Sequence, residues 1–563
     1  GNGTSSIRAG AEIYVGAAGF SSGSLRIRRL TQLGTESQEF ILTGTAQLYL
    51  ETANVFNAAV NFTAPAVYLN GSTFNNVTRL TQTGANSVYS NGGNTFNGQT
   101  FITLSGNNLW VFGNATADVF NNELTLWNSG NNVLYLGHNG AGHQFNGNIV
   151  LNSTGSSQGI RFGQGTGAST FGASSGMSIG GNGFTAGSVR LRRITQNASA
   201  VLALSHTAAN TAFFFETANV FNGTVNVNFN QLYLNGSTFN NTTLLTQNGT
   251  SSITSNGGNT FNGTTIISAT GTGEFRLANT TADVYNGNVT FRNSTANRLY
   301  PAYATTVRFA GNLSTVGSAA AVSLTQGAGN ARIEFNGTGE QSISADAAFA
   351  PNVRNITINK ASGSLTLGAN LTVTNNLTLT AGNIVSSLTN LLILNDNATV
   401  TGVSSASFVA GPVRKVGNDA FTFPVGKAGV YRPISISAPG NTAHHFTAEY
   451  NAGSSEGTYS HTSKDGTIDH LNRTEFWILN RTNGTSNVSV TLSWARASGG
   501  VENLSTLRVC RWDGSMWRDH GNGGTTGNTA SGTIVSSSPI TSFSPFTLGS
   551  SNPQNPLPVE LLT

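Results

Sequence analysis

The feature that most constrains this chain is a hexapeptide that returns. Thr-Ala-Asn-Val-Phe-Asn at residues 52–57 recurs with small changes at 116–121, 217–222 and 281–286. The copies sit inside a longer duplication: Val67 to Asn76 reappears as Leu232 to Asn241, and Ser90 to Gly98 as Ser255 to Gly263, each 165 residues further on. Residues 1 to about 340 are therefore two rounds of one design. A finer period runs beneath, carried by an aromatic residue followed by Asn. Phe56, Phe74, Phe96, Phe120 and Phe145 are spaced by 18, 22, 24 and 25 residues. Phe221, Phe239, Phe261 and Tyr285 repeat the spacings 18, 22 and 24; Phe309, followed by Ala310, and Phe335 continue at 24 and 26. A period in the twenties means stacked units, none able to bury its apolar face alone.

Local pattern decides what stacks. Short alternating runs such as Leu124-Thr-Leu-Trp127, Thr265-Ile-Ile-Ser268 and Asn288-Val-Thr-Phe291 are separated by Asn-Gly, Gly-Gly and Ser-Gly, the signature of strands and turns. No window carries the 3.6-residue apolar period of a helical repeat. The chain is expected to be all-β, with a right-handed parallel β-helix over residues 1–405. The repeated Phe then forms an inward aromatic stack, core in preference to a binding strip. The Asn after it is expected at a bend, in the left-handed region, bonding the neighbouring coil's backbone. Some 15 to 18 coils at about 4.8 Å each would make a rod on the order of 70 to 90 Å long.

Beyond Gly411 the composition changes. Lys415, Lys427 and Lys464 follow a stretch with no lysine before Lys360, and Trp477, Trp494, Trp512 and Trp517 appear close together. Alternating runs such as Val488 to Trp494 and Leu507 to Trp512, with Asp513-Gly514 as a turn, predict a β-sandwich over 411–550. Residues 551–563 read as a Pro-rich linker and tail. Its apolar positions Leu557, Val559, Leu561 and Leu562 suit an extended segment that adds itself to a neighbouring copy.

Charge narrows the function classes. Only 9% of residues are charged, against about 25% in ordinary globular proteins. The net charge of +4 is a small difference between 27 basic and 23 acidic groups, so nucleic acid is not an expected partner. No apolar run approaches the ~20 residues of a membrane span. The first residue is not Met and no leader follows, which fits an exported protein whose signal has been removed. The single cysteine, Cys510, forms no intrachain disulfide and sits in strand-like alternation.

Parallel β-helices can carry polysaccharide-cleaving sites, which need converging carboxylates with a basic partner. The twelve acids before residue 359 are scattered, and two pairs, Glu51 with Glu216 and Asp118 with Asp283, are duplicated at 165 residues. Duplication suits corner residues better than one active site, so no catalytic residue is assigned. His444, His445, His461, His470 and His520 lack metal-ligand spacing, and the coils are too irregular in length for an ice-binding Thr array. No cofactor is implied. Arg26, Arg28 and Arg29 recur as Arg190, Arg192 and Arg193, either a solvated strand face or a patch for a carboxylate-bearing partner. Trp512 and Trp517 flank a turn and could form a sugar-binding platform or pack across a hairpin.

Gly411 to Gly426, Arg511-Trp-Asp-Gly-Ser-Met-Trp-Arg-Asp519 and the terminal Leu-Pro-Val-Glu-Leu-Leu resemble the C-terminal region of large repetitive surface proteins of Bacteroidota. The resemblance covers about the last 150 residues, and the solenoid in style. It implies export by the type IX route and a secreted or surface-attached product, though this chain stops where such proteins continue into a sorting domain. The combined expectation is an extracellular structural protein, a subunit of a surface fibre or adhesin assembling end to end with copies of itself. A monomeric stalk that binds surface polysaccharide is the alternative, and a polysaccharide lyase or hydrolase the third.

Overall fold

A computed structural model describes residues 3–557 apart from 17–18, 140–141, 295–297, 318–323, 326–330, 347–350 and 544. The chain divides into two compact units, Gly1–Pro301 and Ala302–Thr563. The described residues are almost entirely strands and turns; their only helical segments are two 3-10 turns, Arg496–Ser498 and Leu504–Thr506.

The first unit is a parallel β-solenoid whose coils have three strands. In one coil these are a short strand, Val55–Phe56, a long strand, Val60–Ala64, and a third strand, Ala66–Leu69, after which the chain re-enters at Thr73–Phe74. Each strand pairs in parallel with its equivalent one coil away, as Val60–Ala64 does with Thr78–Gln82 and that strand with Thr100–Leu104. The long strands alternate buried and half-buried residues, so Val60, Phe62 and Ala64 face inward. Every second residue of a strand points to one face, and the apolar alternation in the sequence selects which.

The short strands carry the aromatic column. Phe56, Phe74, Phe96, Phe120 and Phe145 are direct register partners and buried. Their rings stack at 4.8–5.4 Å and within 11° of parallel. Phe221, Phe239, Phe261 and Tyr285 repeat this at 4.7–5.2 Å. Ladder strands lie about 4.8 Å apart, close enough for neighbouring rings to touch face to face without tilting. Between the two runs the pattern changes. Phe171 meets Phe145 edge-on at 76°, and the buried Gln196 stands between Phe171 and Phe221. Phe171, followed by Gly172, escaped the Phe-Asn pattern.

The asparagines after the rings differ from expectation. None adopts the left-handed conformation, and they bond one another. Asn75, Asn97, Asn121 and Asn146 each donate a side-chain N–H to the Asn Oδ1 one coil back, at 2.7–2.8 Å. Asn240, Asn262 and Asn286 do the same at 2.6–2.7 Å. Only Asn57, at the foot of the first ladder, reaches a backbone carbonyl, that of Gln32. An amide has both donor and acceptor, so a column of identical amides can chain along the axis. The left-handed corner lies three residues before the ring, at Ala53 (φ 65°), Gly71 (φ 74°), Ala218 (φ 64°) and Gly236 (φ 80°).

The second unit begins with the same parallel scheme. Thr306–Phe309 pairs with Arg332–Phe335, and Phe309 stacks on Phe335 at 5.5 Å. The strands then lengthen, to eight residues at Asn352–Asn359 and eleven at Leu371–Ala381. Parallel pairing continues to Val409–Ala410 and Val413–Val416, past the boundary expected near residue 405. Val413–Val416 is the switch: one edge is parallel to Leu392–Leu394, the other antiparallel to His445–Ala452. The strand edge left by that coil is thus occupied by the following sheet, which removes an open edge.

Two antiparallel sheets complete the unit. One runs from Val413–Val416 through His445–Ala452, Glu475–Asn483, Phe546–Ser550 and Leu507–Trp512 to Trp517–Asp519. The other orders Phe421–Phe423, Ile434–Ile436, Val490–Ala495, Ser531–Val535 and Thr525–Asn528.

Two stability predictions follow from the coil. Phe96→Asp or Phe261→Asp should lose several kcal/mol, since a buried ring is worth about 3–5 kcal/mol and a carboxylate replaces it. An unchanged denaturant midpoint would contradict the inward stack. Ala53→Gly and Ala218→Gly should each stabilise by about 0.5–1 kcal/mol, because left-handed backbone costs an L side chain ~1–2 kcal/mol and glycine's own entropic cost is smaller. A loss of stability in both would refute that corner geometry.

Candidate functional site

Most of the acids are already engaged. Glu51 pairs with Arg26 at 2.8 Å and its duplicate Glu216 with Arg190 at 2.7 Å. Asp118 and Asp283 lie in a buried polar column two residues before each ring. There a side chain of one coil accepts the backbone N–H of the coil before it. Asn54 Oδ1 takes the N–H of Leu30 at 3.0 Å, Asn94 that of Ser72 at 2.9 Å, Asp118 that of Asn94 at 2.8 Å. His143 Nδ1 takes the Asp118 N–H at 3.1 Å and Ser169 Oγ the His143 N–H at 3.0 Å. Asn219, Asn259 and Asp283 continue the pattern in the second round. The column satisfies corner N–H groups that burial would otherwise leave unpaired.

Because His143 Nδ1 is an acceptor, its proton is on Nε2, directed at the Phe112 carbonyl 3.4 Å away. Burial holds this ring neutral by lowering its pKa, against the opposing pull of Asp118. Burial also raises Asp118, with His143 and the Asn94 N–H groups opposing. Asp283, without a histidine, is pushed up to about 7 by burial despite its bonds from Asn259. Its Oδ2 has no hydrogen-bond partner among the described residues. These carboxylates are enclosed, so they cannot meet a substrate.

Among the described residues no three of His, Cys, Asp and Glu gather as metal ligands, and no described helix is long and apolar enough to cross a membrane. An open cleft of about 670 Å³ in the second unit is lined by Asp465, Thr467, Asp519, His520, Ser537 and Ser538. Its two carboxylates are occupied: Asp465 by Arg518 at 3.0 Å and the Asp519 N–H at 2.9 Å, Asp519 by Arg508 at 3.6 Å and the Gly521 N–H at 2.7 Å.

The tryptophan platform is corrected by the packing. Trp512 and Trp517 face each other across the hairpin, with rings 5.8 Å apart and edge-on. Trp517 is fully buried against Ile468, Leu471 and Cys510, and its indole N–H is spent on the Tyr459 carbonyl at 3.3 Å. Trp517 presents no face to a sugar, and the half-buried Trp512 packs against it. The tail is corrected in part. Leu557 is buried in its own unit, with its N–H on the Gly500 carbonyl, and Asn555 ahead of it is tied to Glu502 and Asn503. Leu557 therefore cannot reach another copy. Val559, Leu561 and Leu562 lie outside the described residues.

One surface of the first unit remains. The third strands align Tyr89, the buried Val111, Tyr135, Arg161, Arg190, Phe214 and Tyr233 in one register column, of which Tyr135, Arg161, Arg190, Phe214 and Tyr233 are half-buried and Tyr89 is exposed. Phe214 and Tyr233 lie 4.2 Å apart and 2° from parallel, with the Arg190 guanidinium 3.8 Å over Phe214. Arg161 donates to the Tyr135 hydroxyl at 2.9 Å and has no ion-pair partner among the described residues. Arg192 and Arg193 donate to the carbonyls of Gln164 and Gly165. The first round has a smaller version, with Arg26 4.0 Å over Tyr49 and Tyr49 stacked on Tyr68 at 4.3 Å. The sequence signalled this surface only through its duplicated arginines; Arg161, some thirty residues ahead of Arg190, was missed.

Comparison with protein-family models, curated proteins and solved structures gives no match to this chain.

The raised Asp283 pKa makes a signed prediction. The carboxyl binds its proton more tightly folded than unfolded, so its stabilising effect is complete below about pH 4 and is lost as pH rises to about 7. Asn already fills this position at Asn54, Asn94, Asn219 and Asn259. Asp283→Asn should therefore gain on the wild type across that window, by on the order of a few kcal/mol, and the difference should stay flat above it. A pH-independent difference in unfolding free energy would refute it.

Proposed function

We propose that this protein is an extracellular structural element, a subunit of a surface fibre or adhesin whose copies associate end to end. The observation that carries the reading is the use to which polar side chains are put. Asparagine amides, buried acids and several charged groups bond from coil to coil, and little convergent chemistry is left among the described residues. Ladders of this kind give a stiff unit whose stability sums over neighbouring coils. A surface with 9% charged residues also leaves little repulsion between copies.

In this reading the coils wind right-handed, as parallel crossovers almost always do, and the two antiparallel sheets pack as a β-sandwich. The Trp477 indole N–H, bonded at 3.0 Å to the Arg432 carbonyl beside the second sheet, supports that packing. The likeness of 411–426 and 511–519 to Bacteroidota surface proteins supports export by the type IX route. The tail's role is narrowed to residues 558–563, with Val559, Leu561 and Leu562 as the joining positions.

Negative-stain microscopy of the concentrated full chain should show filaments. A chain ending at Leu557 should give shorter filaments or none, at an unchanged unfolding temperature. Full-length protein that stays monomeric at high concentration refutes assembly, and equal filaments from the shortened chain refute the tail.

A further inference from the structure

We propose that the asparagines ending the two surface ladders, Asn146 and Asn286, are modification sites that lose their side-chain amides to the backbone of the following glycine, and that loss at Asn286 opens the second ladder to further loss at Asn262. Exposed ladder asparagines precede a glycine at Asn97, Asn146, Asn262 and Asn286. Each follows a buried ring of the aromatic column, so sequence context, coil position and exposure match. They differ in their bonds. Asn97 donates to Asn75 and accepts from Asn121, and Asn262 donates to Asn240 and accepts from Asn286. Asn146 and Asn286 donate one coil back, but the next coil brings them no amide. Phe171, the register partner of Phe145, is followed by Gly172. The strand Thr306–Phe309, which pairs with Val284–Tyr285, is followed by Ala310. Neither residue has a side chain that can donate. Asn222, at the foot of the second ladder, also precedes a glycine, but it is half-buried and Gly223 is buried.

The reaction needs no reagent but water. The glycine backbone nitrogen bonds to the asparagine Cγ, the Cγ–Nδ2 bond breaks, and ammonia leaves with the proton of the glycine N–H. Water then opens the resulting succinimide to aspartate or isoaspartate. Glycine favours the first step, because no Cβ restricts the backbone around its nitrogen. The ladder opposes that step. Its amides are held toward neighbouring coils and must turn toward their own following residue before the ring can close. An interior asparagine gives up two ladder bonds in that turn, an end asparagine only one. One net hydrogen bond corresponds to a rate factor of roughly two to ten. The product carboxylate can accept but not donate, so after loss at Asn286 the Asn262 Oδ1 has no ladder donor and Asn262 becomes the new end. The next member back, Asn240, precedes Asn241 in place of a glycine, and the progression stops there.

The test is peptide mapping by mass spectrometry of the full chain aged folded at mildly alkaline pH, beside a sample aged in concentrated urea. In the folded chain Asn146 and Asn286 should convert roughly two- to tenfold faster than Asn97 and Asn262. In urea the four rates should converge, because only local sequence then acts on them. Asn286→Asp should raise Asn262 to the end rate and leave Asn97, in the other ladder, unchanged, with thermal unfolding recorded to show that the variant is folded. Equal rates at all four sites in the folded chain, a ranking that persists in urea, or no conversion at Asn146 and Asn286 while the urea sample converts each overturns the proposal. So does an unchanged Asn262 in Asn286→Asp, or an Asn97 that accelerates with it. None of these readouts depends on filament formation, so the fibre reading can fail without touching them.

Discussion

Everything in the solenoid depends on one distance. Parallel in-register coils place each side chain about 4.8 Å from its equivalent on the next coil, so a residue is acceptable only if it tolerates a near copy of itself. Aromatic rings do, by stacking; asparagine amides do, by donating to one neighbour and accepting from the other. Ionised groups do not, because like charges that close repel. The sparse charge of the chain is thus a consequence of its geometry. Several charges are set into cross-coil pairs, as with Arg26 and Glu51, Arg190 and Glu216, and Arg308 and Glu334. Against that rule Arg161 and Arg190 are register partners, each with its guanidinium against a different neighbour, Tyr135 for Arg161 and Phe214 with Glu216 for Arg190.

The same constraint explains the buried polar column. A coil must turn between strands, and at the turn some backbone N–H groups lose their ladder partner. Asn, Ser, Asp and His at one position each supply an acceptor to the coil before them. Asn serves without penalty. Asp serves at the expense of its own ionisation, which is why Asp283 titrates near neutrality, and His serves by staying neutral. The column is a structural device, and its titrating members report on coil integrity.

The second unit solves a different problem. A parallel ladder always ends with an unpaired edge, and here Val413–Val416 meets it by accepting a parallel neighbour on one side and an antiparallel one on the other. The antiparallel sheets buried Trp477, Trp494 and Trp517 among the tryptophans that composition had marked out, and left Trp512 half-buried. The rings on the outward face of the first unit lie against one another and against guanidiniums, so neither unit exposes a flat aromatic platform at the places the sequence suggested.

The sequence by itself determined the strand type, the solenoid and the inward column, because periodicity records which residues share an environment on every coil. Phe56 through Tyr285 could be placed from spacing alone. The polar column was equally periodic, two residues before each ring, but its members differ chemically, so Asn54, Ser72, Asn94, Asp118 and His143 did not read as one position. Tertiary structure alone decided three things: that the ladder asparagines bond each other, that Leu557 folds back, and that Arg161 reaches the Tyr135 hydroxyl. Each depends on which atoms of distant residues come within hydrogen-bonding or contact distance. That is fixed by coil register and by the packing of the antiparallel sheets, and a repeat period does not encode it.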